Sequence, residues 1–180
     1  SDRVATLAWN GYRHFELYYG VSGMGAVCHT INPRLPVEQI EYIISHAEDT
    51  ILFLEFTFVD MIEKLKDRLP SNLRYVVMTD EAHMPSSTTL SPLCYETLLE
   101  GHPTTFDWPE LDENTAASLC YTSGTTGNPK GALYSHRSTV LHAMSAALSF
   151  MNALGEGRKI LPAVPLFHVN AWGLPYTCPL

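Results

Sequence analysis

Short apolar runs alternate along the chain with longer stretches whose apolar residues recur at helical spacing. Val4–Trp9 (VATLAW), with its β-branched members, predicts a buried strand, and Asn10-Gly11 a turn after it. Phe15, Leu17, Tyr18, Val21 and Met24 repeat as one face of a helix between His14 and Val27. Cys28–Ile31 is the next strand, closed by Asn32-Pro33, and Pro36 sits where a first helical turn accepts proline. Val37, Ile40, Ile43 and Ile44 line the helix that follows, to about Ala47. Thr50–Phe56 and Leu73–Met78 predict strands on either side of a helix over Asp60–Leu69. Thr79–Pro92, rich in Ser, Thr and Pro, predicts a mobile surface loop, Tyr95–Leu99 a short helix, and Gly101–Asn114 a polar connection. Ala116–Tyr121 and Ala132–Tyr134 predict two more strands. Ser135 is the N-cap of a helix over His136–Leu154 with Val140, Met144, Ala147, Leu148 and Met151 on its apolar face, and Ile160–Val164 is a last strand. Strands alternating with helices predict an α/β fold, a mostly parallel sheet flanked by helices.

Composition narrows the function classes. With 180 residues and 46% hydrophobic content the chain can bury one real core. A net charge of −8 and a pI near 5.4 argue against a nucleic-acid partner, which needs a basic stripe. No apolar run approaches the roughly 20 residues of a transmembrane segment, and the first residues do not read as a secretory leader. The four cysteines, Cys28, Cys94, Cys120 and Cys178, are scattered without a CxxC pair. Neither a disulfide framework nor a zinc site is expected, and the expected location is cytoplasmic. The sequence starts on a strand without Met and stops inside an apolar segment, so both ends are expected to be cut.

Residues 122–130, TSGTTGNPK, gather two Gly, four Ser/Thr, one Pro and one Lys between two predicted strands. Glycine lets backbone approach a ligand closely, successive N–H groups form an anion-binding concavity, and one ammonium adds charge. Such a loop suits a polyphosphate, and ATP is the expected ligand. A flexible connector would not need the restraint of Pro129-Lys130-Gly131. The Walker A spacing fails, since Gly124 would require glycine at position 129, and the loop leads to a strand rather than a helix. Gly20-Val21-Ser22-Gly23 is one residue short of a nucleophile elbow, and His136 and His142 are six apart, wrong for a helical metal pair.

YTSGTTGNPKG with Ser135-His136 beyond it resembles the phosphate-loop signature of the AMP-forming adenylating enzymes, and every position from Leu119 to Lys130 fits. Pro165–Gly173, PLFHVNAWG, resembles a second motif of that superfamily in the form used by fatty-acyl-CoA synthetases. VATLAWNGYRHFELYYGVSGMGAV and HTINPRL are similar to bacterial medium- and long-chain acyl-CoA synthetases and equally to methylmercaptopropionyl-CoA ligases. The resemblance covers essentially the whole chain and implies a fragment, residues 1–180, of the large N-terminal AMP-binding domain of the acyl-adenylate-forming fold.

It also implies a two-step reaction: a fatty or other aliphatic carboxylate attacks the α-phosphate of ATP, and CoA then displaces AMP. By position, the Thr122 hydroxyl would help hold Mg2+. Ser123, Gly124, Thr125, Thr126 and Gly127 would cradle the β- and γ-phosphates, with Lys130 at the mouth of the loop. His168, as a catalytic residue, would orient the carboxylate or donate to charge near the α-phosphate. His168, Val169 and Trp172 would line the junction of nucleotide and acyl group, with Trp172 walling off the acyl tunnel. Larger members are often homodimers. The superfamily's adenine- and ribose-binding segments and small C-terminal domain have no counterpart among these 180 residues, so the chain alone is expected to be inactive. Rival readings are a carrier-loading adenylation domain, against which HVNAW speaks, and a non-catalytic nucleotide-binding module.

Overall fold

The computed structural model describes residues 2–122, 127–149 and 157–180. Among these, seven strands form one sheet: β1 (Arg3–Leu7), β2 (Val27–Thr30), β3 (Ile51–Leu54), β4 (Arg74–Val77), β5 (Leu93–Cys94), β6 (Ala116–Thr122) and β7 (Lys130–Ser135). Their spatial order is β5-β4-β3-β1-β2-β6-β7. Every neighbouring pair is parallel except the β6–β7 hairpin. The helices of five residues or more are α1 (Tyr12–Gly23), α2 (Val37–Ala47), α3 (Val59–Leu65), α4 (Tyr95–Leu99) and α5 (His136–Ser149).

The central strands read as continuous apolar runs because both faces are covered. Ala5 and Leu7 of β1 join Leu52, Leu54, Tyr75 and Val77 in one core, against α2 and α3 through Ile40, Ile43, Ile44, Ile62 and Leu65. Val4, Val76 and Met78 enter the opposite core, with Leu17, Tyr18 and Val21 of α1 and Tyr95 of α4. The period of two along each strand thus divides its residues between two helical layers.

Three expectations meet a different outcome. Ile160–Val164 is not a strand: it has no ladder partners among the described residues, Leu161 is 93% exposed, and the carbonyls of Pro162 and Val164 accept instead from the Asn10 side chain. Pro162 has no N–H to give a ladder. The stretch Thr79–Pro92 is tied down: Thr88 Oγ1 and Thr89 N donate to Glu63, each at 2.6 Å, Lys66 Nζ donates to the Thr89 carbonyl, and Leu90 is buried. On α5 the predicted apolar face is exposed at Val140, Met144 and Leu148, and Ala143 is the buried position; Met151 lies outside the described residues. The predicted cap holds. Ser138 N donates to Ser135 Oγ and Ser135 N to Ser138 Oγ, a reciprocal pair that satisfies two otherwise free donors.

Candidate active site

β6 ends at Thr122, and its cross-strand partner on β7 is Lys130, so the motif closes a hairpin between them. Ser123, Gly124, Thr125 and Thr126 lie outside the described residues. Gly127 has φ +97°, a backbone region that residues with a Cβ rarely enter. Pro129 is buried, while Thr122 and Lys130 are exposed. The Thr122 hydroxyl lies 3.5 Å from the Lys130 carbonyl, too long to hold it, so it can turn to an incoming ligand. The hairpin leaves the carboxyl end of β6, beside the carboxyl end of β2, where Thr30 is in register with Cys120. Open parallel sheets bind their ligands at that edge.

A second segment, residues 162–173, crosses the same edge. Asn10 holds it from the end of β1: its Oδ1 accepts from Leu166 N at 2.7 Å, and its Nδ2 reaches the carbonyls of Pro162 and Val164, each at 3.2 Å. The Tyr18 hydroxyl donates to the Leu166 carbonyl. Leu166 and Phe167 are buried, and Phe167 meets Trp9 edge-on at 5.8 Å with the exposed Arg34 guanidinium lying over both rings.

After His168 the backbone turns left-handed at Val169, Asn170, Ala171 and Trp172, with φ between +48° and +58°, and Gly173 follows at +75°. This conformation costs an ordinary residue about 1–2 kcal/mol, while asparagine and glycine tolerate it. Such a turn persists only where its surroundings hold it. The Asn170 side chain supplies that hold: Oδ1 accepts from Cys120 Sγ at 2.9 Å and Thr30 Oγ1 at 3.1 Å, and Nδ2 donates to Ser118 Oγ at 2.9 Å. All four side chains are buried. Burial pushes the Cys120 thiol up, so at neutral pH it keeps its proton and can donate. At Gly173 a Cβ would stand 2.7 Å from His142 Nδ1, so space as well as φ demands glycine.

Val169 and Trp172 come together on a cavity of about 350 Å3, between the turn and the surface of β7 and α5, whose walls also include Tyr134, His142, Asn170 and Tyr176. Trp172 is 65% exposed at its edge. His168 is exposed outside that cavity, its N–H donating to the Pro165 carbonyl at 3.0 Å. A larger opening, about 680 Å3, lies between α1 and the last residues; Arg158 lines it, and no described phosphate-loop residue does.

Before the loop, Tyr121 packs tilted against the buried His29 with ring centroids 5.2 Å apart and shares a hydrogen bond with His46 Nδ1 at 2.7 Å. Burial raises the Tyr121 phenol to about 12, so it stays neutral. His29 Nδ1 lies 2.8 Å from Asp49, whose carboxyl burial pushes up against the opposing pull of His29. Among the described residues no cluster of three His, Cys, Asp or Glu could hold a metal. Sequence reasoning missed Asn10, Thr30, Ser118, Cys120 and Asn170. The one signal for Asn170 was a lone polar residue between Val169 and Ala171.

The AMP-binding enzyme family matches residues 1–180. A medium-chain-fatty-acid–CoA ligase of Ectopseudomonas oleovorans is 53% identical over 177 residues, covering 98% of this chain and 32% of the relative. A 3-methylmercaptopropionyl-CoA ligase of Ruegeria pomeroyi is 51% identical, covering 98% and 33%. The chain therefore spans about a third of the length of the curated relatives it matches. A solved long-chain-fatty-acid–CoA ligase from Archaeoglobus fulgidus shares the fold, with a TM-score of 0.80 at 19% identity over 97% of this chain and 32% of that one. Matched over its whole length, the chain belongs to the AMP-binding enzyme family.

Proposed function

We propose that this chain is the phosphate-loop portion of an AMP-forming acid–CoA ligase that activates an aliphatic carboxylic acid. The observation that carries the reading is the Thr122–Lys130 pair, which brackets the TSGTTGNPK motif at the carboxyl end of β6, with a cavity bearing Val169 and Trp172 on the neighbouring turn. The acid's carboxylate oxygen attacks the α-phosphate of ATP, the bond to the β-phosphate breaks, and pyrophosphate leaves. The CoA thiol then attacks the acyl carbonyl, gives up its proton, and AMP leaves.

The chain's part in the first step is positioning and neutralisation of charge. Lys130 meets the phosphates as a point charge, and the hydroxyls and glycines of residues 122–127 are the residue types that suit a polyphosphate. Val169 and Trp172 take the acid's alkyl part, and His168 steers its carboxylate. The exposed Thr122 hydroxyl is the kind of oxygen donor that would help hold Mg2+, which would supply charge neutralisation at the phosphates. We also propose that residues 1–180 form one part of the large domain of that ligase, which acts in the cytoplasm. Free thiols at Cys28, Cys94 and Cys120 suit a reducing compartment.

Acid-dependent exchange of labelled pyrophosphate into ATP tests the reading, run on the intact ligase with acids from propionate size to palmitate and with 3-methylmercaptopropionate. Exchange with a fatty acid supports it. Exchange confined to the short thioether acid narrows it to that substrate. ATP binding without exchange for any acid overturns it in favour of a nucleotide-binding module. The 180-residue chain alone is expected to show no exchange.

A further inference from the structure

We propose that Asn170 is a positioning residue: its side chain locks the His168–Trp172 turn to the strand that carries the phosphate loop, holding acid and nucleotide in one register. Ser118, Cys120 and Thr122 alternate along β6 and share a face of that strand. Asn170 bonds the first two, and the third opens the loop. Thr30 of β2 closes the cluster from the neighbouring strand, reaching Asn170 Oδ1 at 3.1 Å and Cys120 Sγ at 3.1 Å. A shift of β6 along its axis therefore moves the turn, and a shift of the turn pulls on β6.

The side chain does two separable things. Asparagine suits the left-handed backbone at φ +50°, and its amide ties three partners. Glycine would keep the first property and lose the second. Aspartate would keep both, because Thr30, Cys120 and Ser118 can each donate to a carboxylate oxygen.

The catalytic part of the proposal rests on the ligase reading above; the anchoring part does not, and the test separates them. Asn170→Gly and Asn170→Asp are made in the intact ligase, with melting temperature, acid-dependent pyrophosphate exchange and amide hydrogen exchange as readouts. In Asn170→Gly the exchange kcat should fall roughly tenfold or more while KM for ATP stays within about twofold, since misplacement of a bound partner acts on the reacting geometry. Amide exchange at Ala171 and Gly173, whose N–H groups bond within the turn, should quicken roughly tenfold while β1 and β3 keep their protection. Asn170→Asp should restore both. An Asn170→Gly protein with the parent's kcat and amide protection overturns the proposal, as does an equal loss in both variants. If the parent enzyme exchanges no pyrophosphate, the ligase reading fails, and amide protection alone decides whether Asn170 anchors the turn.

Discussion

Single residues carry two kinds of information here, and only one is visible in a linear sequence. Thr122, Gly127 and Lys130 stand out in the sequence because their segment concentrates hydroxyls, glycine and a cation within a few positions. Asn10, Thr30 and Asn170 do not, because each acts on backbone or side chains brought near by the fold, as when Asn10 reaches Leu166 N across the sheet edge. Replacing Lys130 by Ala in the intact ligase is expected to lower kcat/KM for ATP roughly 10- to 150-fold, the equivalent of one charged hydrogen bond of about 1.5–3 kcal/mol. Steady-state kinetics at varied ATP checks this, and an unchanged value would remove Lys130 from the phosphate site. Gly173→Ala places a Cβ on a residue with φ +75°, against His142 Nδ1 at 2.7 Å. Urea denaturation should register a loss of about 1–3 kcal/mol.

At the scale of elements, periodicity predicted which segments are helices and strands, and it failed where the partner was not another strand or helix of this chain. Ile160–Val164 has a strand-like composition, yet its carbonyls bond a side chain. On α5 the apolar stripe Val140, Met144 and Leu148 faces outward. Its amphipathic pattern says which residues favour cover, not what supplies it. In the 180-residue chain, Leu148→Gln should therefore change stability by no more than about 0.5 kcal/mol, whereas Ile62→Ala, at 0% exposure in α3, should cost about 2–5 kcal/mol. Chemical denaturation of both variants compares the two directly. The His29–Asp49 pair joins β2 to the entrance of β3, both side chains fully buried. Asp49→Ala leaves His29 Nδ1 without its partner and is expected to cost about 1–3 kcal/mol in the same assay.

For the molecule as a whole, fold class was legible, since strands alternating with helices imply a mostly parallel sheet. The strand order was not, because nothing local states that β1 lies between β2 and β3. Global stability carries a pH signature from the core. His14 is buried beside Thr6 and the Trp9 carbonyl; its Nδ1–H donates to Trp9 and its Nε2 accepts from Thr6. Burial lowers its pKa from 6.5 to about 4. Between those values the unfolded chain binds the proton and the folded one does not. The contribution is therefore complete above pH 6.5 and falls away toward pH 4, by about 3 kcal/mol. Urea titrations of the parent chain and His14→Gln across that range should show a flatter dependence for the variant.

In the proposed reaction the TSGTTGNPK segment and the His168–Trp172 turn together join a carboxylate to the α-phosphate of ATP. The most direct measurement is the nucleotide product formed by the intact ligase with ATP, a medium-chain fatty acid and CoA. AMP and pyrophosphate should form in equal amounts with acyl-CoA. Formation of ADP and inorganic phosphate in their place would contradict the proposed reaction.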